Sequence, residues 1–176
     1  NQTVGRPIVY FMVDVYSRII LAASIAFDNN SIVGLTNLFL NLSDNKQDYC
    51  NRFGINFDNP ALWPSNIIPK KVRVDHGAEF KGKEFERICN ELNIERILVP
   101  VATGSMKGIV EQSFHQMHMK QNVHLENYGL IEKRHDSKHH TESTLNIYQY
   151  TQMVITFVLT HNQQCLTNYP LTKDMI

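Results

Sequence analysis

The sequence predicts a mixed α/β domain in which one sheet is covered by helices. Three observations carry that prediction. The chain opens on two β-rich runs separated by a short break. After residue 70, short apolar runs alternate with segments whose apolar residues recur at helical spacing. The length, 176 residues, allows one domain with a sizeable core and is short for two. Residues 1–176 are therefore read as one domain, a piece of a larger protein.

Each element follows from its own pattern. Ile8 to Val13 is continuously apolar, as expected of a strand buried on both faces. Val15-Tyr16-Ser17 breaks it, and the β-rich run Arg18 to Phe27 completes an antiparallel hairpin. Asn30 and Ser31 offer an N-cap, and Ile32, Leu35, Phe39 and Leu42 follow on one helical stripe. Residues 43–66 are polar, with two prolines and one glycine, which predicts mostly loop with a helical extension to about Phe53. Lys71 to Val74 is a short strand ending at Asp75, with His76-Gly77 as the turn. Phe85, Ile88, Cys89 and Leu92 mark a second helix, and Ile94 to Val99 a further strand stopped by Pro100. Val110, Phe114 and Met117 define a third helix reaching about Val123. Residues 126–144 are polar and aperiodic, hence loop. Leu145 to about Thr160 is a last helix with Tyr150, Val154 and Phe157 on one stripe.

Composition narrows the class. An apolar fraction of 43% and a charged fraction of 19% are those of an ordinary globular protein. No apolar run approaches the roughly 18 residues of a membrane span. The opening NQTVGRP has no signal-peptide pattern and reads as the start of a fragment. Cys50, Cys89 and Cys165 are odd in number and far apart, with no Cys-x-x-Cys pair. That argues against a disulfide framework or zinc knuckle and for a reducing cytoplasm. Lys+Arg equals Asp+Glu at 17 each. A domain holding DNA alone would carry a basic excess, so neighbouring domains are expected to supply most of any DNA affinity.

Two acids occupy informative places. Asp75 ends a predicted buried strand, where a carboxylate loses solvation. Glu111 opens a helix after the glycine-bearing loop Thr103 to Gly108, where the helix dipole alone could account for an acid. Between them lie 35 residues of helix, strand and loop, enough chain to bring Glu111 back beside the end of the Asp75 strand. Two converging carboxylates make a hard-oxygen site for Mg²⁺ or Mn²⁺. Two such ions roughly 3.5–4 Å apart can drive an in-line displacement at phosphorus.

At these residues the sequence resembles the retroviral-integrase and Mu-transposase superfamily, whose site acids are two aspartates and a glutamate with about this last spacing. The segments VGRPIVYFMVDVYSRIILAASIAF, ALWPSNIIP, VDHGAEF and KGIVEQSF stand in the order seen in TnsB-type transposases of Tn7-like elements, and the likeness runs through LNIYQYTQMVITFVLTHNQ. It covers nearly the whole chain. One departure is His76, where integrases more often carry Asn. The resemblance implies a ribonuclease-H-like mixed sheet flanked by helices. It implies metal-dependent 3′-end cleavage and strand transfer of transposon DNA, with two Mg²⁺ or Mn²⁺ ions and with Asp75 and Glu111 as catalytic ligands. The implied partners are transposon-end and target DNA, sister transposase subunits in a multimer, and an ATP-dependent regulator, at the nucleoid of a bacterial cytoplasm. The rival expectations are a nuclease of the same fold that only hydrolyses, and an inactive DNA-bound assembly module.

The third acid has two candidates. Spacing alone would take Asp14. The resemblance puts Asp-Val-Tyr-Ser-Arg at a later strand turn and the first catalytic Asp on a strand before Asn1. The family's first strand would then be missing here, the fragment inactive, and Asp14 the cap of a turn. His115 and His118 follow Glu111 at i+4 and i+7, giving that helix face a DNA-contact reading beside that of two solvated histidines. Lys107 carries the same pair of readings, phosphate contact or solvated loop. Residues 102–110, with Gly104 and Gly108, are expected to be mobile without DNA. His135, His139 and His140 lack a partnering ligand pattern for zinc. Trp63 reads as a loop anchor.

Overall fold

Strand β1, Ile8–Val13, pairs antiparallel with β2, Ile20–Ala26, from Ile8 opposite Ala26 to Val13 opposite Ile20, with a register irregularity at Met12/Val13. The coordinates are a computed structural model that describes residues 7–27, 32–99, 111–117 and 145–168. The turn between the strands is built by Asp14. Its Oδ2 accepts hydrogen bonds from the Ser17 backbone N–H and from Ser17 Oγ, both at 2.7 Å. Arg18 completes the turn in the left-handed region, φ 66°.

Successive strand residues point to opposite faces, and here both faces are covered. On one side Phe11, Ile20 and Ala23 join Cys50, Trp63, Met117 and Val154. On the other, Met12 and Ala22 join Leu35, Phe39, Val74 and Phe85. This explains the unbroken apolar run of β1: a strand with a core on each face has no polar positions to alternate.

Helix α1, Ile32–Ser43, covers the second face with Leu35, Leu38, Phe39 and Leu42. It approaches closely because Gly34 has no side chain; a Cβ there would sit 2.6 Å from Cε2 of Tyr10. Residues 43–66 hold more order than their polarity predicts. Asn45 caps helix α2, Lys46–Asn51, by accepting from the Gln47 and Asp48 N–H groups. A 3₁₀ turn, Pro60–Leu62, then leads into Trp63. Trp63 is the expected anchor: it is 1% exposed and its indole N–H donates to the Leu21 carbonyl at 3.0 Å.

Strands β3, Lys71–Val74, and β4, Glu95–Leu98, pair in parallel. A parallel pair needs a crossover, supplied by α3, Ala78–Lys81, and α4, Lys83–Glu91, whose Phe85 and Cys89 are buried one turn apart. Helix α5 spans 111–117 and α6 is Ile147–Asn168.

Two expectations need correcting. Among the described residues the strands do not form one sheet: β1–β2 and β3–β4 are separate two-stranded sheets. A cavity separates β1 from β3, and among the described residues each of the two pairs with a single neighbouring strand. The last helix also runs past Thr160. Residues 161–168 contain no proline or glycine, and β2 rewards the extension. Asn162 is fully buried; its Oδ1 accepts from Ile20 N–H at 2.8 Å and its amide donates to the Ile20 and Leu62 carbonyls. Among the described residues, no helix is long and apolar enough to cross a membrane.

Candidate active site

The space between the two sheets is a cavity of about 770 Å³. Residues 9–15 on and beyond β1 form one wall and residues 71–77 on and beyond β3 the other. The second core supplies an apolar lining through Leu35, Leu38, Phe39 and Phe85, and α5 contributes Glu111 and Phe114. Asp75 and Glu111 therefore border one cavity although 35 residues separate them.

Local structure sets each carboxylate. Asp75 follows the last residue of β3, and its Oδ1 accepts from the Gly77 N–H at 2.9 Å. It is exposed, which corrects the expectation of a desolvated acid. β3 is four residues long and of these only Val74 is buried, so the strand end opens to solvent at the cavity mouth. Glu111 is also exposed and begins α5. That helix is tied to the first core by Met117, 2% exposed, and by Phe114, whose ring stacks on Phe11 with centroids 4.8 Å apart. Asp14 borders the cavity as well, with its carboxylate bonded to Ser17 as the turn reading expects.

Glu79, not singled out from the sequence, also faces this space. It lies one turn after Asp75 in Asp-His-Gly-Ala-Glu-Phe, and its buried Oε2 has no hydrogen-bond partner among the described residues. Gly77 makes room for both acids: a Cβ there would sit 2.8 Å from Glu79 Oε2 and 3.0 Å from Asp75 Oδ1. The i, i+4 spacing of the two acids was the available signal. The donor chemistry fits a hard divalent cation, yet no group of three or more His, Cys, Asp or Glu side chains among the described residues is gathered to hold one. His115 is exposed on α5 and does not border the cavity. Lys107, His118, the 102–110 segment and the histidines at 135, 139 and 140 lie outside the described residues.

The structure thus defines a mixed α/β domain whose two small sheets flank a cleft bordered by carboxylates. Residues 1–127 match the model of the TnsB C-terminal domain, so the chain belongs to that TnsB-like transposase family. Both Asp75 and Glu111 fall inside the match; α6 follows it. The chain is similar to the Transposon Tn7 transposition protein TnsB of Escherichia coli, 27% identical over 167 residues. That alignment takes in 92% of this chain and 23% of the length of the relative.

Proposed function

We propose that this domain is the catalytic part of a DNA transposase, built on a ribonuclease-H-like plan, that cleaves the 3′ ends of transposon DNA and joins them to target DNA. The observation carrying the proposal is that Asp75 and Glu111, distant in sequence, border one cavity. Carboxylate oxygens are the donors that Mg²⁺ and Mn²⁺ take, so Asp75 and Glu111 would hold the ions. Ions bound there supply Lewis-acid stabilisation of the charge that develops at phosphorus and on the leaving oxygen. The chain's own residues do the positioning. Gly77 N–H orients Asp75, and the Phe114–Phe11 stack fixes the helix that carries Glu111.

Two in-line displacements follow. Water attacks the phosphodiester at the transposon end, so that a P–O bond forms to the water oxygen as the bond to the 3′ oxygen breaks, and the proton the water loses is made good on the departing oxygen through solvent, leaving a 3′-hydroxyl. That hydroxyl then attacks a target phosphodiester, so one P–O bond forms as another breaks and no enzyme-linked intermediate arises. A third carboxylate would arrive on a further strand seated between β1 and β3. Lys107, His115 and His118 would meet the DNA. Sister subunits and an ATP-dependent regulator would complete the assembly.

The test uses the intact parent protein. Asp75→Asn or Glu111→Gln should abolish strand transfer while transposon-end binding stays nearly unchanged. Loss of binding together with transfer would instead assign the two acids to folding. Nicked DNA without joined product from the unaltered protein would reduce the activity to that of a nuclease.

A further inference from the structure

A second recess, of about 170 Å³, opens between the β1–β2 turn, α5 and α6, walled by Arg18, Gln112, Ser113, Gln116, His161 and Cys165. Its base is fixed. His161 is 7% exposed and Ser113 3%. The His161 ring spans the recess floor, with Nε2 2.9 Å from the Arg18 carbonyl and Nδ1 3.1 Å from the Gln116 side-chain oxygen. Cys165 Sγ lies 3.5 Å from His161 Nε2, one helical turn along α6.

The electrostatics of the recess are one-sided. Among its described wall residues Arg18 is the one with a permanent charge, and none is Asp or Glu. Among the described residues, Arg18 enters none of the ion pairs, which are Arg52–Asp44, Lys71–Glu95, Arg87–Glu91 and Arg96–Glu86. Its charge is felt inside: burial pushes the Cys165 thiol up, and Arg18 pulls it back down. A guanidinium offers a planar donor fork that matches phosphate oxygens two at a time. The Gln112 amide on the exposed face of α5 adds a neutral donor. The volume admits a phosphate group with a few waters.

We propose that this recess binds a phosphate oxyanion, with Arg18 supplying the charge and Gln112 a further hydrogen bond, and that the oxyanion belongs to a DNA strand. The strand as source rests on the transposition reading above; the oxyanion site does not. Because Gln112 adjoins Glu111 on α5, a strand held here would fix the helix that presents the carboxylate.

Cys165 provides the readout. Of the three cysteines it alone has exposure, since Cys50 is fully buried and Cys89 is 1% exposed. N-ethylmaleimide labelling of Cys165 in the folded chain is followed by mass spectrometry in chloride, in inorganic phosphate at matched ionic strength, and with duplex DNA. Phosphate should slow labelling severalfold, and duplex DNA should do so at far lower concentration. Arg18→Gln should remove both effects and Arg18→Lys should restore part of them. Gln112→Glu, which places a negative charge at the rim without touching the buried His161 bonds, should also remove them. Equal labelling in all three conditions, or protection that survives Arg18→Gln in a variant with an unchanged melting temperature, overturns the site. Protection by phosphate but not by bound DNA overturns the strand as its source, whatever the outcome at Asp75 and Glu111.

Discussion

Lys46 shows what burial does to a single charge. The residue is fully buried, its ammonium donates to the Asn41 carbonyl, and it lies over the Trp63 ring at 5.6 Å. Burial lowers its pKa from 10.5 to about 8, against the opposing pull of Asp44 and Cys50. Between those values the unfolded chain holds a proton that the folded chain has shed, so stability rises with pH. Burial acts oppositely on the neighbouring acids, raising the Cys50 thiol from 9.0 to about 11 and the Tyr49 phenol from 10.0 to about 12. Above pH 9.0 the folded chain retains a Cys50 proton that the unfolded chain loses, which cancels the Lys46 gain, and the Cys89 and Cys165 thiols, also raised by burial, turn the slope downward. The expected profile is a narrow rise between about pH 8 and 9, at most about 1.4 kcal/mol per pH unit for one proton. Urea denaturation across this range measures it, and Lys46→Met should erase the rise. A steady fall from neutral pH in the unaltered protein would show that the ammonium is not desolvated.

Among the elements, the contact between α1 and the hairpin depends on one missing methyl group. Alanine at position 34 would improve helix propensity by about 1 kcal/mol. Its Cβ would also press 2.6 Å from the Tyr10 ring and 3.3 Å from the Ala26 Cβ. Overpacking of this kind outweighs the propensity gain, and Gly34→Ala should destabilise the protein by about 1–2 kcal/mol net. The same change in a Tyr10→Val background should become neutral or stabilising, because the ring that obstructs it is gone. Chemical denaturation of the four proteins of this double-mutant cycle decides the matter. Additive effects would mean that Tyr10 is not the obstacle.

For the whole molecule, the separation of its two sheets is the decisive feature. A strand edge without a ladder partner leaves backbone N–H and C=O groups to water. The cavity between β1 and β3 has an apolar lining on one side and carboxylates at its mouth, the surroundings a further strand would need. A longer form of the protein with a strand seated there should slow amide exchange at the β1 and β3 groups not bonded to β2 or β4. It should also tighten Mg²⁺ binding by on the order of tenfold or more, since a third charged ligand joins two. Calorimetry on the 176-residue chain should show only weak binding. Finding Asp14, Asp75 and Glu111 around one ion in that chain would refute the strand reading and restore Asp14 to the site.

The division between what sequence and structure each determine follows from the range of the forces involved. Periodicity reports which faces of a segment are apolar, so the hairpin, α1, the β3–α4–β4 unit and the stripe Val154–Phe157 were legible from the residues alone. The turn at Asp14 was legible too, because a carboxylate three residues before Ser17 bonds within its own loop. Edge pairing is not encoded locally. Nothing in Ile8–Val13 or Lys71–Val74 states that the two strands stand apart across a cavity. The end of α6 was set by bonds from His161 and Asn162 to residues 142 or more positions earlier. Glu79 drew no notice in the sequence because an exposed acid and one with a buried, unpartnered oxygen are the same letter. The sequence by itself determined the hairpin, α1, the β3–α4–β4 unit and the family to which the chain belongs. Only the tertiary structure decided which edges stay open and which side chains border the cavity between them, because long-range packing and desolvation fix both.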